Sequence, residues 1–181
     1  VSRVEASVTY PANFQLVAAM NPCPCGHFPD RSRCRCTDGQ ITRYLQKVSG
    51  PMLDRIDICV EASPITYGDI RSSGNNESSR EIRARVEQAR KIQGERFAGE
   101  NIRCNGEMSG RHIRKFCWLG REEEKFMEEI FKKLALSARM HDRILKVART
   151  TADLAEEEKI RLADLCEAVS YVKSRDKFWG N

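Results

Sequence analysis

Sequence features that are typical of membrane proteins and of enzymes with a complete P-loop site are absent from this 181-residue sequence. No run of about 18 uncharged apolar residues occurs, which excludes a membrane-spanning helix. We therefore expect no membrane partner. The chain starts at Val1 without the segments of a signal peptide, so we expect a piece of a longer protein. No Gly-x-x-x-x-Gly-Lys-[Ser/Thr] motif and no apolar run ending in an acidic pair occur, which excludes a complete P-loop site within the chain. Neither internal repeats nor low-complexity segments are visible.

Eight cysteines are present, and their spacing favours a metal site over a disulfide framework. Four form two tight Cys-x-Cys pairs and four stand singly, as expected for a protein of the reducing cytoplasm. Four thiolates from two turns suffice for a closed tetrahedral zinc site, and His27 could replace one of them. Cys-x-Cys is less specific than Cys-x-x-Cys, so disulfides or free thiols remain the alternative. The predicted zinc ligands are Cys23, Cys25, Cys34 and Cys36.

The charge of the chain is distributed unevenly. With 40% apolar residues the composition is that of a globular protein, and the net charge of +5 does not by itself predict nucleic-acid binding. Residues 71–121 carry roughly a dozen Lys and Arg against about six Asp and Glu, whereas 122–129 and 156–158 are acidic. These blocks indicate solvated helix faces or a surface for an anionic partner. The cysteine loop is also basic, because it contains Arg31, Arg33 and Arg35. These arginines could contact a phosphate backbone, or they could offset the negative charge of the thiolates.

The first third of the sequence predicts fragments of a sheet. Residues 1–10 alternate apolar and polar side chains, which indicates a hairpin arm. Residues 15–20 form the short apolar run of a strand buried in a parallel sheet, and 56–62 predict a second strand. A short helix over 41–48 separates them, and Gly50-Pro51 should end that helix.

The rest of the chain predicts helices. A linker at 65–77 includes the turn-forming Ser72–Asn76, and a helical region follows to residue 181. Serines are placed to cap these helices, and apolar residues recur at helical spacing within them. The expected helices span 78–97, 109–119, 122–134, 137–154 and 160–172.

Two polar residues stand where sheet strands begin and end. Asn21 follows the first strand, where an amide could orient a water or a phosphate oxygen, or could simply cap the turn before Pro22. Arg55 precedes the second strand between two aspartates. It could be a structural ion-pair partner, or a finger that neutralises charge on a transferring phosphoryl group.

These residues together resemble a known family. Asn21 and the Leu53-Asp54-Arg55-Ile56-Asp57 segment, here called the finger box, resemble sensor 1 and the arginine finger of AAA+ ATPases of the magnesium-chelatase branch. The string over 18–26, the second Cys-x-Cys pair and Ser49-Gly50-Pro51 resemble the bacterial ComM/YifB group more closely. Residues 136–139 and 143–150 resemble that family's helical lid, in which Arg139 would be sensor 2.

The resemblance implies an α/β fragment, mainly α-helical. Residues 1–64 would be the C-terminal part of a P-loop AAA+ core with a zinc-knuckle-like loop, and 78–181 a lid of about four helices. ATP with Mg²⁺ would bind between subunits of a ring, expected to be a hexamer, in the full-length protein. Asn21 would position the attacking water, Arg139 would contact the γ-phosphate, and Arg55 would reach the neighbour's nucleotide. The implied task is DNA helicase and branch-migration work in transformation and recombination, and the fragment alone should be inactive.

Three other functions are compatible with the same residues. The first is a magnesium-chelatase-type remodelling subunit. The second is a stand-alone DNA-binding module, in which 122–134 and 137–154 form a helix-turn-helix exposing Arg139, Arg143 and Lys146. The third is a redox sensor whose oxidation would join Cys23 to Cys36.

Overall fold

The computed structural model describes residues 2–3, 6–9, 14–71 and 77–179. The chain divides into two compact units, Val1–Lys47 and Val48–Asn181. The sequence placed the boundary later, through a linker at 65–77, whereas the structure groups the finger box with the helices. None of the described helices combines the length and the hydropathy that crossing a bilayer requires.

The described residues of the first unit form a small hairpin and one helix. Strand β1 (Ser2–Arg3) pairs antiparallel with β2 (Ala6–Ser7), at the place where a hairpin arm was predicted. Helix α1 (Asp38–Leu45) begins three residues before the predicted start, because Thr37 and Gln40 form a reciprocal capping box.

The two longer predicted strands are not formed. Within the described residues the sheet is limited to β1 and β2, and residues 15–20 and 56–62 belong to neither. Val17 is 85% exposed and Val60 is 73% exposed. A strand of a parallel sheet needs neighbouring strands for its backbone hydrogen bonds, and no described segment provides them. The α/β part of the predicted fold is therefore not seen here, and the described chain is mainly helical.

The second unit opens with two short helices. Helix α2 (Gly50–Leu53) starts at the residues that were predicted to end a helix, with Ser49 as its cap. Proline is well suited to a first turn, because its fixed φ is helical and its missing N–H would lack a helical partner there. Helix α3 (Tyr67–Arg71) lies in the predicted linker, and Ser72–Asn76 lies outside the described residues.

The described residues 77–179 form five further helices, near the five ranges that the sequence predicted, whereas the family resemblance implied a lid of about four. Ser78 caps the first in a box with Glu81, and Ser137 caps the fourth. The third helix begins at Arg121, with Gly120 as its N-cap residue. A 3₁₀ turn spans Asn105–Glu107. The helices are α4 (Ser79–Arg96), α5 (Gly110–Phe116), α6 (Arg121–Lys133), α7 (Ala138–Leu154) and α8 (Leu162–Trp179).

Helix α7 is the centre of the second unit. It packs against α8, α4 and α5, while α6 packs against α8. Ile144 and Leu165 are almost fully buried between these helices, and each such side chain contributes about 1.5–3 kcal/mol through removal from water. The apolar spacing that predicted α7 and α8 therefore faces the core. The first half of α4 differs, because Ile82 and Val86 are 43% and 44% exposed and only its C-terminal half packs.

A buried ion-pair network joins α4 to α7. The Asp153 carboxylate is fully buried and accepts two hydrogen bonds from Arg96, one of them 2.7 Å long. Arg149 donates to the same carboxylate at 3.0 Å, and Asn105 donates at 2.8 Å. Both carboxylate oxygens accept hydrogen bonds, which offsets the cost of burying this group away from water.

Candidate functional site

Four cysteine thiols converge in the loop that we call the cysteine knuckle, residues 21–36. The Cys23 sulphur lies 3.4 Å from Cys25 and 3.8 Å from Cys34, and Cys25 lies 3.6 Å from Cys34. All four sulphurs, including that of Cys36, fall within 4.8 Å of one another. A tetrahedral zinc with Zn–S bonds of about 2.3 Å places its sulphurs about 3.8 Å apart, whereas a disulfide requires about 2.05 Å. The cysteines are unpaired and their spacing fits zinc.

The backbone of the knuckle favours the thiolate of Cys25. Gly26 adopts a φ of +80°, a conformation that costs other residues free energy, and its N–H bonds the Cys23 carbonyl at 3.0 Å. Backbone N–H groups of His27 and then Arg35 lower the pKa of Cys25 to about 6. Desolvation raises the pKa of Cys36 to about 11. The donor set is sulphur alone and closed, which suits a structural metal. His27, the predicted alternative ligand, is exposed and lies outside the cluster.

The rim of the knuckle is basic. Arg31 pairs with Asp38 and stacks over Phe28, with its guanidinium carbon 5.0 Å from the ring centre. Arg33 and Arg35 are exposed and line a cavity of about 470 Å³ together with Cys25, His27 and Ser32. Of the three arginines that were predicted to make this loop basic, Arg33 and Arg35 are thus available to bind an anion.

Asn21 stands at the start of the knuckle. Its side chain lies against Gly26, since a Cβ added to that glycine would be 3.8 Å from the Asn21 Cγ. The residue is exposed, and its amide makes no hydrogen bond within the described residues. Asn21 belongs to the first unit, whereas Arg55 and Arg139 belong to the second.

Arg55 follows α2 and is exposed. Its guanidinium donates to the Pro51 carbonyl at 2.6 Å. Of the two aspartates that flank it in sequence, Asp57 pairs with the Arg143 Nε at 2.9 Å instead.

Arg139 is the second residue of α7 and is exposed in the turn that Ser137 caps. One turn later Arg143 is buried, with 8% of its surface exposed, and donates to the Asp54 carbonyl as well as to Asp57. The helix-turn-helix hypothesis placed Arg143 on an exposed face, which is wrong. The sequence analysis did not predict that Arg143 pairs with the finger box. The only local signal for this pairing is that Arg143 lies four residues, or about one helical turn, after Arg139.

Comparison with known proteins assigns the family. The sequence model described as "Magnesium chelatase, subunit ChlI C-terminal" matches residues 76–172, and that described as "Magnesium chelatase, subunit ChlI" matches residues 1–70. The chain belongs to the magnesium chelatase family. This confirms the predicted resemblance, and the helices described in the second unit are consistent with a helical lid.

Curated relatives place the chain beside the ComM/YifB proteins. It is 41% identical to Competence protein ComM of Haemophilus influenzae over 172 residues, which covers 94% of this chain and 33% of that protein. It is 43% identical to YifB of Escherichia coli over 173 residues, again 94% of this chain and 33% of the relative. The chain is 42% identical to YifB of Salmonella typhimurium over 173 residues, which cover 94% of this chain and 33% of the relative. The chain therefore spans about a third of the length of the curated relatives it matches.

Proposed function

We propose that this chain is the sensor and lid part of an ATP-driven ring motor. The supporting observation is a contrast among arginines of the second unit. Arg55 and Arg139, which the family resemblance assigns to nucleotide, are exposed, whereas Arg143 and Arg149 are buried in ion pairs. Exposed cations held on a packed scaffold suit a ligand that comes from outside the chain.

Each residue has a distinct task in this proposal. ATP bound with Mg²⁺ supplies the phosphoryl group. Arg139 offsets the negative charge of the γ-phosphate in its own subunit, and Arg55 does so at the nucleotide of the neighbouring subunit. Asn21 orients the attacking water through its amide, which is exposed at the start of the knuckle. Because the chain has no phosphate-binding loop, it should not hydrolyse ATP by itself.

DNA is the proposed substrate, and helicase or branch-migration work in transformation and recombination is the proposed task. A relative named as a competence protein supports this assignment, as do the exposed Arg33 and Arg35. The helix-turn-helix alternative loses support, because Arg143 is buried and the Lys146 ammonium bonds the Gly106 carbonyl at 3.0 Å. Leu136, in the supposed turn, is also buried.

The cysteine knuckle is proposed to hold one structural zinc ion. Four sulphurs within 4.8 Å of one another and the N–H groups aimed at Cys25 support this role, and zinc binding would fold a loop with few other buried residues. Metal analysis of the purified chain should give one zinc per molecule. Cys25→Ser should lose the zinc, whereas Cys166→Ser, an exposed cysteine on α8, should retain it. A disulfide within the knuckle and no bound metal would instead favour the redox hypothesis.

The motor proposal is tested by ATP hydrolysis in the full-length protein. Activity should rise with branched or single-stranded DNA and fall about 10³-fold or more in Arg55→Ala, the lower end for arginine fingers. Arg139→Ala should also lose activity, while Arg83→Ala, an exposed arginine on α4, should remain active. Hydrolysis unaffected by Arg55→Ala would contradict the proposal.

A chelatase-type remodelling subunit is the second candidate, favoured by the names of the two matching family models. It predicts the same two arginine effects, because the nucleotide site is shared. ATP hydrolysis that does not respond to DNA would favour this candidate over a DNA motor.

A further inference from the structure

Arg143 links two parts of the second unit that are far apart in sequence. The guanidinium donates to the backbone carbonyl of Asp54, 89 residues earlier, and its Nε pairs with the Asp57 carboxylate at 2.9 Å. These partners lie on either side of Arg55 in the chain. Arg143 therefore contacts the finger box at one residue that precedes Arg55 in the chain and at one residue that follows it.

The same helix carries Arg139 one turn earlier. Four residues of α-helix rise about 6 Å, so the exposed sensor and the buried Arg143 are consecutive steps on α7. Ile144, Leu145 and Ala148 fix this segment in the core. Because this part of α7 is packed into the core, a displacement of the helix at Arg139 should also displace Arg143.

We propose that Arg143 is a positioning residue that couples the lid to the finger box of the same subunit. When Arg139 engages nucleotide, α7 moves, and Arg143 carries Arg55 towards or away from the neighbouring subunit's site. This role rests on the proposed function, since it requires Arg139 and Arg55 to act at nucleotide. Arg143 itself does not touch nucleotide in this scheme, because its guanidinium is buried and bonded within the subunit.

Arg149 shows what a purely local arginine looks like. It is also buried on α7, but its partners are Asp153 on the same helix and the carbonyls of Glu157 and Glu158 just after it. Arg143 departs from this pattern, because its partners are in the finger box. Asp57 remains 71% exposed despite the bond, so its carboxylate can be changed without opening the core.

Mixing variants of the full-length protein separates the possible roles of Arg143. Arg143→Met alone should reduce ATP hydrolysis about tenfold or more, as expected for a misplaced finger. Its nucleotide site should remain competent, so mixing with Arg139→Ala, which keeps its finger, should restore activity. In a random equal mixture, about a quarter of neighbouring pairs join a competent site to a competent finger. Mixing Arg143→Met with Arg55→Ala should restore nothing, because both lack a working finger.

Other mixing results overturn the inference. Rescue by Arg55→Ala would show that Arg143 serves its own nucleotide site, and no rescue by either variant would show a general folding role. Failure of the proposed function would give a different result. Either the wild type would have no ATPase activity, or Arg55→Ala would be as active as the wild type.

Hydrogen exchange gives a readout that does not depend on activity. In Arg143→Met and in the milder Asp57→Asn, amides of residues 53–58 should exchange about tenfold faster, because a charge-assisted bond that orders the box is lost. Amides of α8 should be unchanged. Unchanged exchange over 53–58, or faster exchange throughout the second unit, would overturn the coupling role.

Discussion

The buried carboxylate of Asp153 should be the most sensitive single position of the second unit. It is fully buried, while the side chains of its partners Arg96 and Arg149 are only 14% and 3% exposed. In Asp153→Asn the shape is nearly kept, but the two guanidinium groups lose the negative charge between them. Removing one partner of a buried ion pair costs about 3–5 kcal/mol, because the remaining charge stays desolvated.

This cost can be measured as a loss of thermal stability. For a chain of this length each kcal/mol lowers the Tm by about 2–4 °C, so Asp153→Asn should melt about 6–20 °C lower. Circular dichroism at 222 nm follows the melting, because the unit is helical. The control is Glu128→Gln, which breaks an exposed pair with Lys132 on α6. That control should change stability by about 0.5 kcal/mol or less.

The result that refutes this reasoning is a small effect of Asp153→Asn. A loss below about 1 kcal/mol would mean that the cluster is hydrated and contributes no more than a surface pair. A loss in the control as large as in the variant would mean that charge at any position governs the stability of the chain.

Three further outcomes are expected. Lys115 and, less strongly, Arg111 and His112 hold the pKa of Glu100 below its usual value, so Glu100→Gln should destabilise the chain at pH 7. In pH-dependent melts the difference should shrink as the pH falls below the ordinary pKa of a glutamate, and it should vanish once the pH passes the lowered pKa of Glu100 and the folded carboxylate is protonated. Burial raises the pKa of Cys117 to about 12, so mass spectrometry after native alkylation at pH 8 should find Cys117 unlabelled and the exposed Cys166 labelled. Ser78→Ala should cost α4 about 1 kcal/mol in urea unfolding.

The helices were predictable because their signals are local. A capping serine and apolar residues at helical spacing lie within one segment, and Ser78 and Ser137 begin helices where the sequence placed them. The convergence of the cysteines was predictable for the same reason, since two tight pairs joined by a short loop can hardly stay apart. The zinc itself remains a prediction.

The strands and the buried charges were not predictable in the same way. The apolar run over 15–20 encodes a strand only if other strands adjoin it, and the described residues supply none. Arg143 and Asp153 look like solvated charges in sequence, because their partners Asp57 and Arg96 lie 86 and 57 residues away. Pairing over such distances is decided by packing, which periodicity does not reveal.

The shared nucleotide site is the central claim, and one titration tests it most directly. Full-length Arg55→Ala is mixed with a rising fraction of Arg139→Ala at constant total protein, and DNA-stimulated ATP hydrolysis is measured at each step. If each site takes its finger from a neighbour, activity should rise to a maximum near equal proportions, where about a quarter of neighbouring pairs join a competent site to a competent finger. Activity that stays at the level of the separate variants in every mixture would contradict the account.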